Sequence, residues 1–338
     1  MIVIFGAAGF IGTYLIDRLI KEGLNILASD VNDTGKEYYK EKSISYVSLD
    51  ITQKECFKHL PADGVEAVIH LAAVQPANVS EASNDPAKYI EVNVLGTLNI
   101  LEYCRQTKVD KIIYASSHRN TQGLWKYGKP VREEDGRAIK YDGEYAMFSI
   151  SESAAQDCVE HYRQKYGMKG FIFRLPPVYG YGPHTEIFWH GKPIKTGFQI
   201  FVENATAGKP IEVWGNCDRG RDIVYINDVT EAFVQALKSR DAHGLYNITS
   251  GRAITLREEV EAIVKVFSRE DKKSVITYKP EKPNSIEPFI YDNSKAKKEF
   301  GWTPRFTLEE MLVDYKREME SGQFSFLVEK RKQLFNKK

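Results

Sequence analysis

Met1-Ile-Val-Ile-Phe-Gly-Ala-Ala-Gly-Phe-Ile-Gly12 opens the chain with an apolar run, a glycine-rich turn and the start of an amphipathic segment. Ile2 to Phe5 is too short for a helix and reads as a buried parallel strand. Gly6, Gly9 and Gly12 follow at three-residue spacing. Phe10 to Lys21 has a helical period that puts Phe10, Ile11, Tyr14, Leu15 and Leu19 on a packing face. Glycines at such a turn let backbone N–H groups approach a pyrophosphate, and the helix N-terminus adds a favourable dipole. A second strand, Asn25 to Ser29, ends at Asp30. That is about twenty residues beyond the turn, where a carboxylate can bind a ribose 2′-hydroxyl. The spacing is G-x-x-G-x-x-G, not G-x-G-x-x-G. Asp30 would repel a 2′-phosphate, and no Arg follows in Val31-Asn32-Asp33, so the cofactor expected is NAD and not NADP.

The 338 residues are enough for one large or two modest domains, and a formal charge of +1 gives no footprint for nucleic acid or an anionic membrane. The basic Lys330-Arg331-Lys332 and Lys337-Lys338 read as a solvated, frayed helix end. Cys56, Cys104, Cys158 and Cys217 lie far apart with no C-x-x-C, which points to neither a disulfide framework nor a metal site. The first strand starts at Ile2 and no apolar run approaches membrane-spanning length. The expectation is a protein without a signal peptide, in a reducing cytoplasmic compartment.

Strand and helix alternate through the first half, the pattern of a doubly wound parallel α/β sheet. Further strands are read at Ser45 to Ser48, Ala67 to His70, Ile112 to Ala115 and Gly170 to Arg174, with long helices at Asp85 to Lys108 and Tyr145 to Tyr166. After Pro176-Pro177 a loop-rich stretch begins, then short strands and helices. The expected division is a dinucleotide-binding domain over 1–175 and a smaller α/β substrate domain over 176–338. Asp222 to Ile226 and Tyr246 to Ile248 are expected to return to the main sheet.

The ordered set Gly6-x-x-Gly9-Phe-Ile-Gly12, Asp30, Asp50-Ile51, His70-Leu-Ala-Ala73, Asn93 to Asn99, Tyr114 to Ser117, Tyr145, Arg174 to Gly180, Gly208 to Gly215, Arg221 to Asp228 and Ser294 to Trp302 resembles the extended short-chain dehydrogenase/reductases. Within them it resembles the NAD-dependent epimerase/dehydratase group that acts on nucleotide sugars. The resemblance implies a Rossmann-type fold in which the turn residues Gly6, Gly9, Phe10, Ile11 and Gly12 hold NAD. It also implies adenine contacts from Asp50 and Ile51, approach of Leu71, Ala72 and Ala73 to the ribose and pyrophosphate, and a nicotinamide border at Pro176 to Val178. The paired helices imply a homodimer.

The chemistry implied is reversible hydride transfer, in which a tyrosine takes a hydroxyl proton. That demands a phenol acidified well below about 10 by nearby positive charge. Tyr145 matches the tyrosine and Ser117 the serine that supports the substrate oxygen. The family's lysine, one helical turn beyond the tyrosine, is here Ser149. Either the chain is a degenerate relative, or NAD⁺ itself or a base from elsewhere lowers the tyrosine pKa in part; His118 and Arg119, directly after Ser117, are the candidates for that base and for substrate contact.

In the family's dehydratases an Asp-Glu pair follows the catalytic Ser/Thr; His118-Arg119 stands here and argues against elimination. Cys158 reads as packing, not as an acid for epimerisation at C3 or C5. Pro177 replaces a donor Asn that contacts the sugar diphosphate, whereas Arg221 keeps a phosphate-binding Arg whose bland alternative is a salt bridge with Asp222 or Asp228. Lys282 stands where an Arg often meets the nucleotide. His184 to Lys192 forms an aromatic, basic loop near the expected sugar pocket. The leading reading is an NAD-dependent nucleotide-sugar epimerase passing through a 4-keto intermediate. The alternatives are a dehydrogenase of a free sugar or sugar acid, and a catalytically impaired NAD-binding sensor or structural protein.

Overall fold

The structure is a computed structural model that describes all residues except 81–84, 127, 183–185, 285 and 337–338, and omits the side chains of 330, 331 and 334–336. Seven parallel strands form the central sheet: β1 (Ile2–Phe5), β2 (Ile26–Asp30), β3 (Ser45–Ser48), β4 (Ala67–His70), β5 (Lys111–Ser117), β6 (Lys169–Leu175) and β7 (Gly244–Asn247). Their order is β3-β2-β1-β4-β5-β6-β7. This is a Rossmann-type doubly wound sheet, with its topological switch between β1 and β4.

Period-two alternation makes the two layers. Ile2 and Ile4 join a core with Leu15, Ile16 and Leu19 of α1 (Phe10–Lys21) and with Val229, Phe233 and Ala236 of the helix Ile226–Lys238. Val3 and Phe5 face the opposite layer, where Ile100, Leu101 and Cys104 meet Ala155, Val159 and Tyr162. These come from α2 (Thr97–Gln106) and α3 (Ala146–Tyr166), and Cys158 packs against the same cluster. Both faces are covered there, which explains why β1 and β4 are buried along their whole length.

The segment read as one helix from Asp85 to Lys108 is less regular. A short helix, Pro86–Lys88, leads into a π-helical stretch, Tyr89–Gly96, before α2. Gly96 lies so close to Ile51 that a Cβ there would stand 2.6 Å from the Ile51 Cδ1. Such π turns recur at functional sites, and this one carries Asn93.

Of the two segments expected to return to the main sheet, Tyr246 to Ile248 overlaps a strand that does so, Gly244–Asn247, which pairs in parallel with β6. The other does not: Gly220–Asp222 pairs antiparallel with Ala253–Thr255, and Val224–Tyr225 pairs in parallel with Val178–Tyr179. A second packed cluster surrounds these strands, with Val202, Val213, Ile223, Val260, Ile263 and Leu312 among its members. Its helices are Gly197–Ala207, Leu256–Phe267 and Leu308–Ser321. No described helix is long and apolar enough to cross a membrane.

Candidate active site

The turn after β1 is built around missing side chains. Gly6 adopts φ +81°, and a Cβ there would meet the Ala72 nitrogen at 2.6 Å. Gly12 brings α1 down onto the turn, since its Cβ would stand 2.4 Å from the Gly6 carbonyl oxygen. Gly9 differs: the only described atom near its Cβ position is the Gly6 oxygen at 3.1 Å, leaving that side open for a ligand. Asp30 closes the cradle, accepting the Ala8 N–H at 3.0 Å on Oδ2 and the Val31 N–H at 2.9 Å on Oδ1. Each oxygen keeps acceptor capacity for a ribose hydroxyl. The Phe10 side chain is buried and turns inward against Tyr14, and Ile11 packs on the second cluster. Their backbones, at the start of α1, are what the turn offers to a phosphate.

Leu71 extends β4 by donating its N–H to the Phe5 carbonyl at 2.9 Å, which lays Leu71, Ala72 and Ala73 beside the glycine turn. Asn93 then fixes the segment that follows. Its Oδ1 accepts the Val74 N–H at 2.8 Å, and its Nδ2 donates to the Val74 carbonyl and to Ser151 Oγ, both at 3.0 Å. The motif Asn93 to Asn99 assigns Asn93 no role in the sequence, and only the fold gives it one. Asp50 accepts the Thr52 N–H at 2.9 Å, and Ile51 is buried against Gly96. An N–H-rich turn with an open side and a carboxylate at the end of β2 fits a dinucleotide carrying a free 2′-hydroxyl.

Ser117 is the last residue of β5, and its Oγ accepts the Arg119 N–H at 3.2 Å. Tyr145 caps the N-terminus of α3 and its carbonyl accepts the Ser149 N–H at 2.8 Å. Ser149 is 2% exposed and brings no charge. The charge comes from elsewhere. The Arg119 guanidinium lies 4.2 Å from the ring centre of Tyr145 and 5.6 Å from that of Trp125. Burial raises the Tyr145 phenol above its ordinary range, the Arg119 charge opposes this, and Glu144 adds to the rise.

His118 is not the surface residue that an isolated loop histidine suggests. It is 9% exposed, lies parallel to Trp125 at 5.5 Å and packs against Phe289. Burial, then the Arg119 charge, hold it neutral, far below its ordinary pKa. Its Nδ1 lies 3.1 Å from the Leu175 carbonyl, so the neutral ring carries its proton there, and Nε2 is buried without a partner among the described residues. His118 thus anchors the loop that presents Arg119.

Pro176 is buried, the Pro177 carbonyl accepts the Val224 N–H at 3.1 Å, and Val178 pairs with Val224. Arg221 makes neither of the salt bridges held open for it. It donates to the Tyr179 hydroxyl at 2.9 Å, which donates to Glu259 at 2.8 Å. Asp222 instead accepts from Ser250 and the Tyr291 N–H, while Asp228 caps the Arg305 and Phe306 N–H groups. Lys282 pairs with Glu212 at 2.7 Å over the Trp214 ring. Of the aromatic loop, His184 and Thr185 lie outside the described residues. The remainder enters a hairpin, Glu186–Trp189 with Lys192–Lys195, in which His190 faces Glu144 at 3.4 Å. Among the described residues no cluster of His, Cys, Asp and Glu could hold a metal ion.

Residues 2–249 match the NAD dependent epimerase/dehydratase family. The chain is 28% identical over 319 residues to a putative UDP-glucose 4-epimerase of Methanocaldococcus jannaschii, covering 92% of this chain and 95% of that one. It is 27% identical over 322 residues to a UDP-glucuronate 4-epimerase of Thermodesulfobacterium geofontis, with 92% and 93% covered. A UDP-glucose 4-epimerase of Thermus thermophilus, solved as a complex with NAD, superposes with a TM-score of 0.74 at 28% identity, covering 94% of this chain and 98% of that one. The chain belongs to the NAD-dependent epimerase/dehydratase family and is an enzyme that uses NAD.

Proposed function

We propose that the protein is a 4-epimerase of a nucleotide sugar, with Tyr145 as the base, Ser117 as support for the reacting oxygen and Arg119 supplying the charge that Ser149 does not. NAD, when bound, supplies the acceptor and then the donor of one hydride. Tyr145 takes the proton of the C4 hydroxyl as that carbon becomes a carbonyl, and returns it when the carbinol re-forms with the opposite configuration. Ser117 donates a hydrogen bond to the same oxygen. Asp30 and the glycine turn hold the adenosine and pyrophosphate, and Arg221 holds the sugar's diphosphate.

One observation carries this reading: the Arg119 guanidinium rests over Tyr145 where no lysine is present. An adjacent cation favours the phenolate, the form that accepts a proton. The relatives named as UDP-sugar 4-epimerases, matched over more than nine-tenths of the chain, support the reaction type. In the test, Tyr145→Phe keeps NAD binding and loses interconversion of UDP-sugars; unaffected activity sinks the assignment.

A second reading, a dehydrogenase of a free sugar or sugar acid, is favoured by Pro177. This residue offers no side-chain donor to a diphosphate, and its carbonyl is taken by Val224. Net NADH formation on a free sugar would select that reading. The acting unit is proposed to be a homodimer through the layer of α2 and α3, where Ile90 and Leu95 on the adjoining π-helical stretch are exposed.

A further inference from the structure

A guanidinium that has been partly buried is ordinarily paired, because an uncompensated charge away from water is costly. Arg119 breaks this pattern. It is partly buried, yet its side chain donates no hydrogen bond and makes no salt bridge among the described residues; its neighbours are the rings of Tyr145 and Trp125. Ring contact engages the charge of a guanidinium and leaves its in-plane N–H donors available. Glu287, the acid whose charge bears on Arg119, is already held by Lys140 at 2.9 Å and by Gln122 at 2.5 Å. Arg221, which also acts on Arg119, adds a second cation. Burial and Arg221 both act against the charged state of Arg119. Among the described residues, therefore, the donors of this cation have no acceptor.

The place of this cation restricts the anion that it takes. Arg119 lies against Tyr145, at the reacting carbinol under the proposed function, on which this inference rests. A nucleotide sugar carries its diphosphate on C1, across the ring from C4. The group near C4 is the C6 substituent, joined through C5. In a neutral hexose that group is a hydroxymethyl, which would leave the guanidinium unpaired; in a uronic acid it is a carboxylate, the planar anion that a guanidinium binds through two parallel N–H···O bonds.

We infer that the substrate is anionic at its reacting end, a sugar acid whose C6 carboxylate is bound by Arg119. The stacked guanidinium then performs two tasks. Its face holds down the Tyr145 phenol, and its edge orients the carboxylate so that the C4 hydroxyl meets Ser117 and Tyr145. A site built to pair an ion discriminates strongly against an analogue that lacks it, because the polar group is left unpaired.

The test compares two substrates that differ only at C6, UDP-glucuronate and UDP-glucose, on the NAD-loaded enzyme. The wild type is expected to favour the uronate by about tenfold or more in kcat/KM. Arg119→Gln should bring that ratio close to one by raising KM for the uronate, and Arg119→Lys should restore part of it. Loss of phenol activation lowers kcat for both sugars and cancels in the ratio, so the two tasks of Arg119 separate. Titration calorimetry with the same sugars reads the preference without turnover. If neither sugar is turned over, the proposed reaction fails, and the binding ratio still decides this inference. A wild-type ratio of one or below, or a preference unchanged in Arg119→Gln, overturns it.

Discussion

The Arg119 guanidinium and the Tyr145 ring are in face contact, 4.2 Å from guanidinium carbon to ring centre, across a separation that joins the end of β5 to the start of α3. The contact puts a cation beside a phenol that burial holds above its ordinary range, and the Arg119 charge opposes that rise by favouring the ionised form.

The direction of the pH dependence follows. Under the proposed function Tyr145 is the base, so activity should rise with pH as the phenol ionises. Arg119 favours the ionised form, and removing it moves the rising limb to higher pH. Arg119→Met is predicted to shift the limb of the kcat profile upward by about one unit, with activity recovering in alkali, whereas Arg119→Lys keeps most of the wild-type profile. A profile with unchanged shape and only a lower plateau would show that Arg119 does not act on the phenol.

The three glycines of the turn should separate in their effects. Gly6→Ala and Gly12→Ala drive a Cβ into backbone at 2.6 and 2.4 Å, so both should lower Tm. The loss should be at least the 1–3 kcal/mol typical of overpacking. Gly9→Ala should leave Tm of the NAD-free protein close to wild type and weaken NAD binding, because its Cβ would project to the open side. Calorimetry of folding and of NAD binding on the same three variants checks this. Equal effects on both quantities would contradict the division of roles.

Asp30 is predicted to choose the dinucleotide. NAD should bind at least about tenfold more tightly than NADP, equivalent to about 1.4 kcal/mol. Asp30→Ala should narrow that gap from both sides: NAD loses its acceptor and NADP loses its repulsion. The variant also frees the Ala8 N–H, now bound at 3.0 Å, so NAD affinity should fall more than the hydroxyl contact alone implies. An unchanged preference for NAD in Asp30→Ala would contradict the assignment.

Glu152 of α3 makes stability sensitive to pH. It is buried, its Oε2 accepts from the Tyr114 hydroxyl at 2.9 Å, its Oε1 has no partner among the described residues, and burial pushes its carboxyl up to about 8. An unfolded glutamate titrates near about 4.3. The folded chain thus keeps a proton that the unfolded chain releases, and stability drains away as pH rises through that window to about 8. Glu152→Gln should stabilise the protein at pH values above the window and change little below it. Denaturant midpoints at both ends provide the check, and an equal shift at both would contradict this role of the carboxyl.

The parts of the fold legible in sequence were those set by local chemistry. The run Ile2–Phe5 and the helix Phe10–Lys21 have the expected bounds, because strand, glycine turn and helical period are signals carried by neighbouring residues. Partner choice between strands is non-local. The apolar run in Asp222 to Ile226 announces a strand without stating which sheet accepts it; Gly220–Asp222 pairs with Ala253–Thr255 and Val224–Tyr225 with Val178–Tyr179, outside the main sheet. The π turn at Tyr89–Gly96 was hidden for the same reason, since it accompanies contacts of Asn93 with Val74 and of Gly96 with Ile51.

At the site, the sequence displayed Ser149 in place of the lysine but could not display the Arg119 contact with Tyr145. Arg119 and Tyr145 belong to different elements, and their contact exists only once β5 and α3 are packed. His118 shows the same limit: nothing in its neighbouring residues announces that Trp125 and Phe289 pack against it.

The central claim is transient oxidation and inversion at C4 on a nucleotide sugar, and an isotope label tests it directly. The NAD-loaded enzyme is incubated with UDP-glucuronate or UDP-glucose carrying deuterium at C4, and the product and the absorbance of NADH are followed together. The account predicts a C4-inverted sugar that keeps its deuterium, with no net NADH accumulating. Stoichiometric NADH with an oxidised sugar, or loss of the label to solvent, would contradict it.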